Sequence, residues 1–161
     1  MNGSRYVGWG LRPAAARGDT PAQSYARFAR QNPAHGMLKA QAYAGERIYP
    51  VANVRVDISR KFPAGIYAID AQWTDISGLT EPVALPAQPA ANSKTPGQWE
   101  PYTSYDVTFS HPGYTTVIVH NVEVFEGITS LQFMEMIPRG AAPGGREVVE
   151  YNAGASPRRC E

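Results

Sequence analysis

The side chains with reactive potential in this 161-residue chain are His35, His111, His120, a single cysteine (Cys160), and a scatter of serines and aspartates. Their spacing matches no catalytic pattern. The histidines form no H-x-x-x-H or H-E-x-x-H pair, which would set two imidazoles on one helix face around zinc. His111 precedes Pro112-Gly113, the place of a turn residue. Ser24, Ser77, Ser104, Ser110 and Ser130 lack the G-x-S-x-G elbow that lifts a nucleophile above a sheet. Asp57, Asp70, Asp75 and Asp106 carry oxygens suited to calcium, but no EF-hand-type acidic loop surrounds them. Asp75 reads better as a turn residue accepting backbone N–H bonds. No glycine-rich phosphate loop is present. A single cysteine excludes an internal disulfide framework and any multi-cysteine metal site. Arg158 and Arg159 beside it favour its thiolate, suited either to crosslinking subunits or to no role at all. The expectation is therefore no catalytic residue, no cofactor and no metal.

Binding chemistry is better represented. Trp73, Trp99, Tyr102, Tyr105 and Tyr114 could stack on the apolar faces of sugars, although the ordinary place of such rings in a small domain is its core. Trp99 lies in a proline-rich stretch where core demand is low, which makes Trp99 and Tyr102 the candidate glycan contacts. Near the N-terminus Arg5, Tyr6, Trp9 and Arg12 interleave charge with rings, as single-stranded nucleic acid binders do. The acidic remainder of the chain opposes that role, and no nucleic acid partner is expected.

These residues must be positioned by some framework, and composition narrows it. The chain has 15 glycines, 14 prolines and 11% aromatics, which points away from a helical bundle toward short strands joined by turns. No run of about 18 apolar residues exists for a spanning helix, so no membrane insertion is expected. No signal-peptide pattern opens the chain. The net charge of +1 conceals a division. Residues 1–36 carry five arginines against Asp19 alone, a net of +4. Residues 37–138 carry six basic and ten acidic groups, and the tail from 139 to 161 has four arginines and three glutamates. A basic arm on an acidic body suggests docking on an acidic surface, its own or a neighbour's.

Within the arm, Thr20-Pro21-Ala22-Gln23 has the form of a capped helix start, with proline at the first helical position. Pro33 ends it, giving a helix over about 21–31 with Tyr25 and Phe28 on one face. So short a helix is marginal alone and needs a surface to dock on. From Met37 the period changes to two. Seven antiparallel strands are expected, over 37–44, 53–59, 66–73, 79–85, 103–110, 115–125 and 129–136, the content of a two-sheet sandwich. Pro86 to Pro101 reads as a long loop. A glycine-rich link follows Pro138, and residues 146–151 could add one edge strand, to this sandwich or to a neighbour's.

The order of these segments resembles a known family. "YPVANVRVDIS" (Tyr49 to Ser59) precedes "WTDISGLTEPVALPAQP" (Trp73 to Pro89), then "PYTSYDVTFSHPGYTTVIVHNVEVFEGITSLQFMEMIPR" (Pro101 to Arg139). Residues 37–139 resemble the transthyretin-like, carboxypeptidase-regulatory-like β-sandwich. Their phrasing is similar to the module that accompanies spore cortex-lytic-type and other peptidoglycan-associated bacterial proteins. Asn53 stands where the family has an alanine, and the lytic domains that accompany the module are absent. The resemblance implies an accessory, non-enzymatic role.

Together these readings predict an all-β, seven-stranded antiparallel sandwich (37–138) with an arm (1–36) and an extended tail (139–161). The expected function is a structural subunit of a polymeric assembly, such as a phage or phage-tail-like particle or a cell-surface filament. Its partners would be copies of itself and other structural subunits. It would be made in the cytoplasm without a signal peptide and end in a virion or extracellular assembly. Tyr6, Trp9, Leu11, Tyr25 and Phe28 in the arm, with Val148, Val149 and Tyr151 in the tail, are the expected assembly contacts, joined by strand addition. The alternative is a carbohydrate-binding accessory module for cell-wall glycan.

Overall fold

The computed structural model describes residues 18–94, 97 and 100–153. Helix α1 (Pro21–Gln31) begins where the capping residues require. The Thr20 hydroxyl accepts from Gln23 N–H (3.2 Å), and the Gln23 side chain accepts from Thr20 N–H (2.9 Å). Two of the unpaired donors of the first turn are thereby satisfied. Asn32 closes the helix, its backbone and side-chain N–H groups both donating to Phe28 O. None of the helix residues is fully buried, so α1 lies on the domain rather than in it.

Nine strands follow: β1 (Ala34–Ala44), β2 (Tyr49–Pro50), β3 (Arg55–Phe62), β4 (Gly65–Trp73), β5 (Val83–Ala87), β6 (Tyr102–Ser110), β7 (Thr116–Phe125), β8 (Thr129–Glu135) and β9 (Val148–Asn152). They form two sheets. In sheet A, β1 is central, with β8 along one side and β5 and β2 sharing the other. Sheet B runs β4-β3-β6-β7-β9. The core lies between them, where Leu38, Ala40, Ala42 and Leu85 meet Val56, Ile58, Val107, Phe109, Val117 and Val119. Alternate residues of each strand supply this layer, as a half-buried strand requires. The two sheets approach closely at Gly36, where a Cβ would lie 2.2 Å from Phe125 O.

The prediction of seven antiparallel strands is corrected to nine strands in mixed sheets among the described residues. Two turns explain the parallel pairs. After β7, Gly127 N–H donates to His35 O (2.9 Å) and Met37 N–H donates to Ile128 O (2.9 Å). The chain is thus stitched to the start of β1 before β8 begins, and β8 must run alongside β1 in the same direction. After β8, Thr115 N–H donates to Ile137 O and Arg139 N–H to Gly113 O, which returns the chain to the start of β7. β9 therefore also runs parallel to its neighbour.

Local corrections have equally local causes. Pro86 lies inside β5, not in a loop. β5 is an edge strand, where a missing N–H costs nothing, and Pro86 O accepts from the hydroxyls of Thr103 (2.8 Å) and Tyr105. The strand expected over 79–85 starts only at Val83. Before it, pairing with β1 shrinks to a single bridge between Leu79 and Gln41, and at Thr80 the hydroxyl accepts from Ala40 N–H (2.9 Å) while the Thr80 N–H donates to Ala40 O (3.0 Å). In β4, Ile66 faces solvent while Tyr67 and Ile69 turn inward, because Tyr25 of α1 stacks on Tyr67. Asn53 holds φ +57°, a left-handed conformation that asparagine tolerates and β-branched residues resist.

Candidate functional site

Tyr6, Trp9, Leu11, Trp99 and Cys160 lie outside the described residues. Tyr25 and Phe28 face the chain's own sheet B. The Tyr25 ring stacks on Tyr67 (4.8 Å between centroids), and Phe28 meets Phe62 (5.9 Å) and Tyr105 (6.4 Å) edge-on. Arg60 of β3 completes this cluster, its guanidinium 4.1 Å from the Phe28 centroid and donating to Ser104 O. Burial holds the Arg60 pKa below the ordinary arginine value, with Tyr105 and Asp106 pulling the other way. Its buried Nε has no protein partner. A cleft of about 560 Å³ opens beside the cluster between Asp19, Ser24, Arg27 and the β3–β4 turn. Arg27 is already paired with Asp19 there. The arrangement is a clamp holding the helix to the sheet.

Val148, Val149 and Tyr151 lie on β9. Only Val149 is partly buried, and Val148 and Tyr151 are exposed. The strand supplies no core residue. It is held by its ladder with β7 and by a polar contact at its end, where His120 bridges Asp106 (3.2 Å) and Glu150 (3.4 Å) while Asn121 donates to Asn152 (3.2 Å). Tyr102 packs on Phe125 (5.7 Å). Desolvation and the nearby carboxylates of Glu100 and Glu123 push its phenol pKa up.

Two features went unread in the sequence. The first is the outer edge of β8. Met37 N–H donates to Ile128 O and Met136 N–H to Tyr43 O (2.6 Å), so the even residues of β8 face β1. The odd residues, 129, 131, 133 and 135, turn their backbone groups away from it. Among the described residues no strand pairs with that edge. Leu131 and Phe133 are exposed on the same strand, Phe133 at 43%, with Tyr43 alongside (6.3 Å) and Arg47 over the ring (5.9 Å). Periodicity could not identify this face, because Met134 and Met136 offer a second apolar set of opposite phase, and those are the buried ones.

The second is the outer face of sheet B. Cross-strand pairing sets Trp73 beside Arg55 and Arg55 beside Ser110. Thr116 follows on β7, next to the Phe109–Val117 pair, with Val148 opposite it. Trp73 is 59% exposed with the Arg55 guanidinium 5.7 Å from its ring centroid. The expectation that Trp73 is a core residue is therefore corrected, whereas Tyr105 is buried as expected.

No family model matches the chain, and no curated protein does. Solved structures resemble it at low identity. The Bacillus anthracis TIE protein is 14% identical over 65% of this chain and 17% of its own, with a TM-score of 0.43. The minor pilin of Streptococcus agalactiae is 15% identical over 70% of this chain and 47% of its own, at 0.40. Catechol 1,2-dioxygenase from Pseudomonas arvilla is 11% identical over 70% of this chain and 56% of its own, at 0.43. The resemblance read from the sequence accordingly narrows to a β-sandwich. The non-enzymatic role drawn from it is also corrected: the solved structures that resemble the chain include catechol dioxygenases.

Proposed function

We propose that this chain is a structural module that self-associates through sheet edges, a subunit of a larger assembly such as a cell-surface filament. The open edge of β8 carries the reading. It is seven residues long, has no proline, lysine or bulge, and shows Leu131 and Phe133 to solvent. Those are the features that monomeric proteins remove from edge strands. The strand is also complementary to itself. In an antiparallel pair centred on Gln132, Leu131 opposes Phe133 of a second copy, and Glu135 opposes Thr129 rather than its own twin. All the outward backbone groups, on residues 129, 131, 133 and 135, then fall in hydrogen-bonded pairs. The exposed β9, at the end of a glycine-rich link, offers a second strand for exchange between copies.

Light scattering of the full chain across a concentration series tests this. Self-association should weaken at least tenfold in Phe133→Lys, which leaves the core untouched. Loss of association only on deleting residues 146–161 would move the interface to β9. A monomer at every concentration would overturn the reading. The second reading, a glycan-binding module, is favoured by the exposure of Trp73.

A further inference from the structure

We infer that the outer face of sheet B at the Trp73 end is a binding site for a carboxylated pyranose, an acidic glycan unit. A shallow cleft of about 370 Å³ lies there, lined by Trp73, Arg55, Asn53, Ser110, Thr116 and Arg139, with His111 at its rim. Each class of group a sugar acid requires is present. The exposed indole gives a flat apolar surface whose negative face attracts the weakly positive axial C–H groups of a pyranose ring. Ser110, Thr116 and Asn53 offer hydroxyl and amide groups to the sugar hydroxyls. They project from neighbouring strands of a rigid sheet and from a turn that closes on Thr74.

Charge selects the acid. None of the residues lining the cleft is acidic, and two are arginines. Arg55 is oriented by Asp57, which accepts from its Nε and lies 2.9 Å from its Nη2, so the guanidinium stays over one face of the indole, which is still 59% exposed. Among the described residues no carboxylate pairs with Arg139. It is the cation left for a ligand carboxylate, and a guanidinium takes that group in a two-pronged geometry. A large ring exposed at the corner of a polar sheet face, with an uncommitted arginine across a cleft from it, is accounted for by such a ligand. The site is independent of self-association through β8, which lies on the other sheet.

The test is titration of the full chain with a soluble oligogalacturonate and, separately, with a neutral cello-oligosaccharide of equal length. Amide resonances of the Trp73–Arg55–Ser110–Thr116 row report occupancy. The uronate should shift these resonances and the neutral sugar should shift them less. Trp73→Ala should weaken uronate binding about tenfold or more, the scale of one lost stacking contact of about 1.4 kcal/mol, and Trp73→Phe should restore part of it. Arg139→Gln should remove the preference for the acidic sugar while leaving residual neutral binding. No shift in this row at millimolar uronate would overturn the proposal. So would equal binding of the neutral sugar, or binding that survives Trp73→Ala. An altered oligomeric state in Trp73→Ala would instead identify the face as a contact between copies and equally overturn it.

Discussion

Substituting Phe28 by alanine should detach helix α1 without unfolding the sandwich. Helix α1 supplies no fully buried residue, so its docking rests on Tyr25 and Phe28 against Arg60, Phe62, Tyr67 and Tyr105. A fully buried Phe→Ala change costs about 3–5 kcal/mol. Phe28 is partly buried, so roughly half applies, about 2 kcal/mol. Losing the Arg60 contact adds about 0.5–1 kcal/mol. The sum, about 2.5–3 kcal/mol, exceeds what an eleven-residue helix can supply from its own backbone. Amide exchange in residues 21–31 should then accelerate about 60- to 140-fold, at about 1.4 kcal/mol per tenfold. Exchange in β3, β6 and β7 should stay near the wild-type rate. Hydrogen exchange read by mass spectrometry, with peptides covering α1 and the central strands, measures both at once. An unchanged helix, or equal acceleration across the whole domain, would refute the clamp.

Other expectations follow from single buried groups. Thr74 is buried, its hydroxyl accepting from Val54 N–H (2.9 Å) and donating to Val51 O (2.7 Å). Thr74→Val strands both backbone groups and should lower unfolding free energy by about 2–4 kcal/mol in urea titrations; a loss under about 1 kcal/mol would mean that water replaces the hydroxyl. Burial, more than any other cause, holds the Tyr105 phenol pKa far above the ordinary tyrosine value of about 10, while a hydrogen bond with Thr103 and the charge of Arg60 oppose it. The folded state thus favours the neutral phenol. Its contribution is complete below the unfolded pKa and declines as pH rises above about 10, at about 1.4 kcal/mol per pH unit. Tyr105→Phe should be less stable at neutral pH, because its hydrogen bond to Pro86 O is lost, yet show a flatter decline from pH 10 to 11.5. Parallel alkaline limbs in the two proteins would exclude Tyr105 as the cause.

Sheet content was legible wherever one apolar set alternated with a polar one. Val54, Val56 and Ile58, and likewise Tyr105, Val107 and Phe109, have no competing set, and all six are buried. Where two phases competed, the pattern did not decide. β8 buries Met134, with Met136 just beyond it, and exposes Leu131 and Phe133; β4 turns Tyr67 inward to meet Tyr25, 42 residues earlier in the chain. The helix start was legible because capping is local, completed within Thr20 to Gln23. Strand direction was not, because it depends on where a turn is stitched, as Gly127 and Ile128 are to β1. The candidate sites were the least legible. Arg55, Arg60 and Arg139 carry no motif, and Trp73 looked like any core aromatic.

The amino-acid sequence by itself determined the strand-rich class, the capped helix with Tyr25 and Phe28 on one face, and the positions of most turns. Each depends on residues a few positions apart, where propensity and hydrogen bonding act without the rest of the chain. Only the tertiary structure decided which sheet edge stays open, that Tyr25 and Phe28 dock on the chain's own sheet, and that Trp73 stands on the surface beside Arg55. Those outcomes depend on pairings between segments tens of residues apart. A one-residue change of register or a reversal of strand direction would send the same side chains to opposite faces.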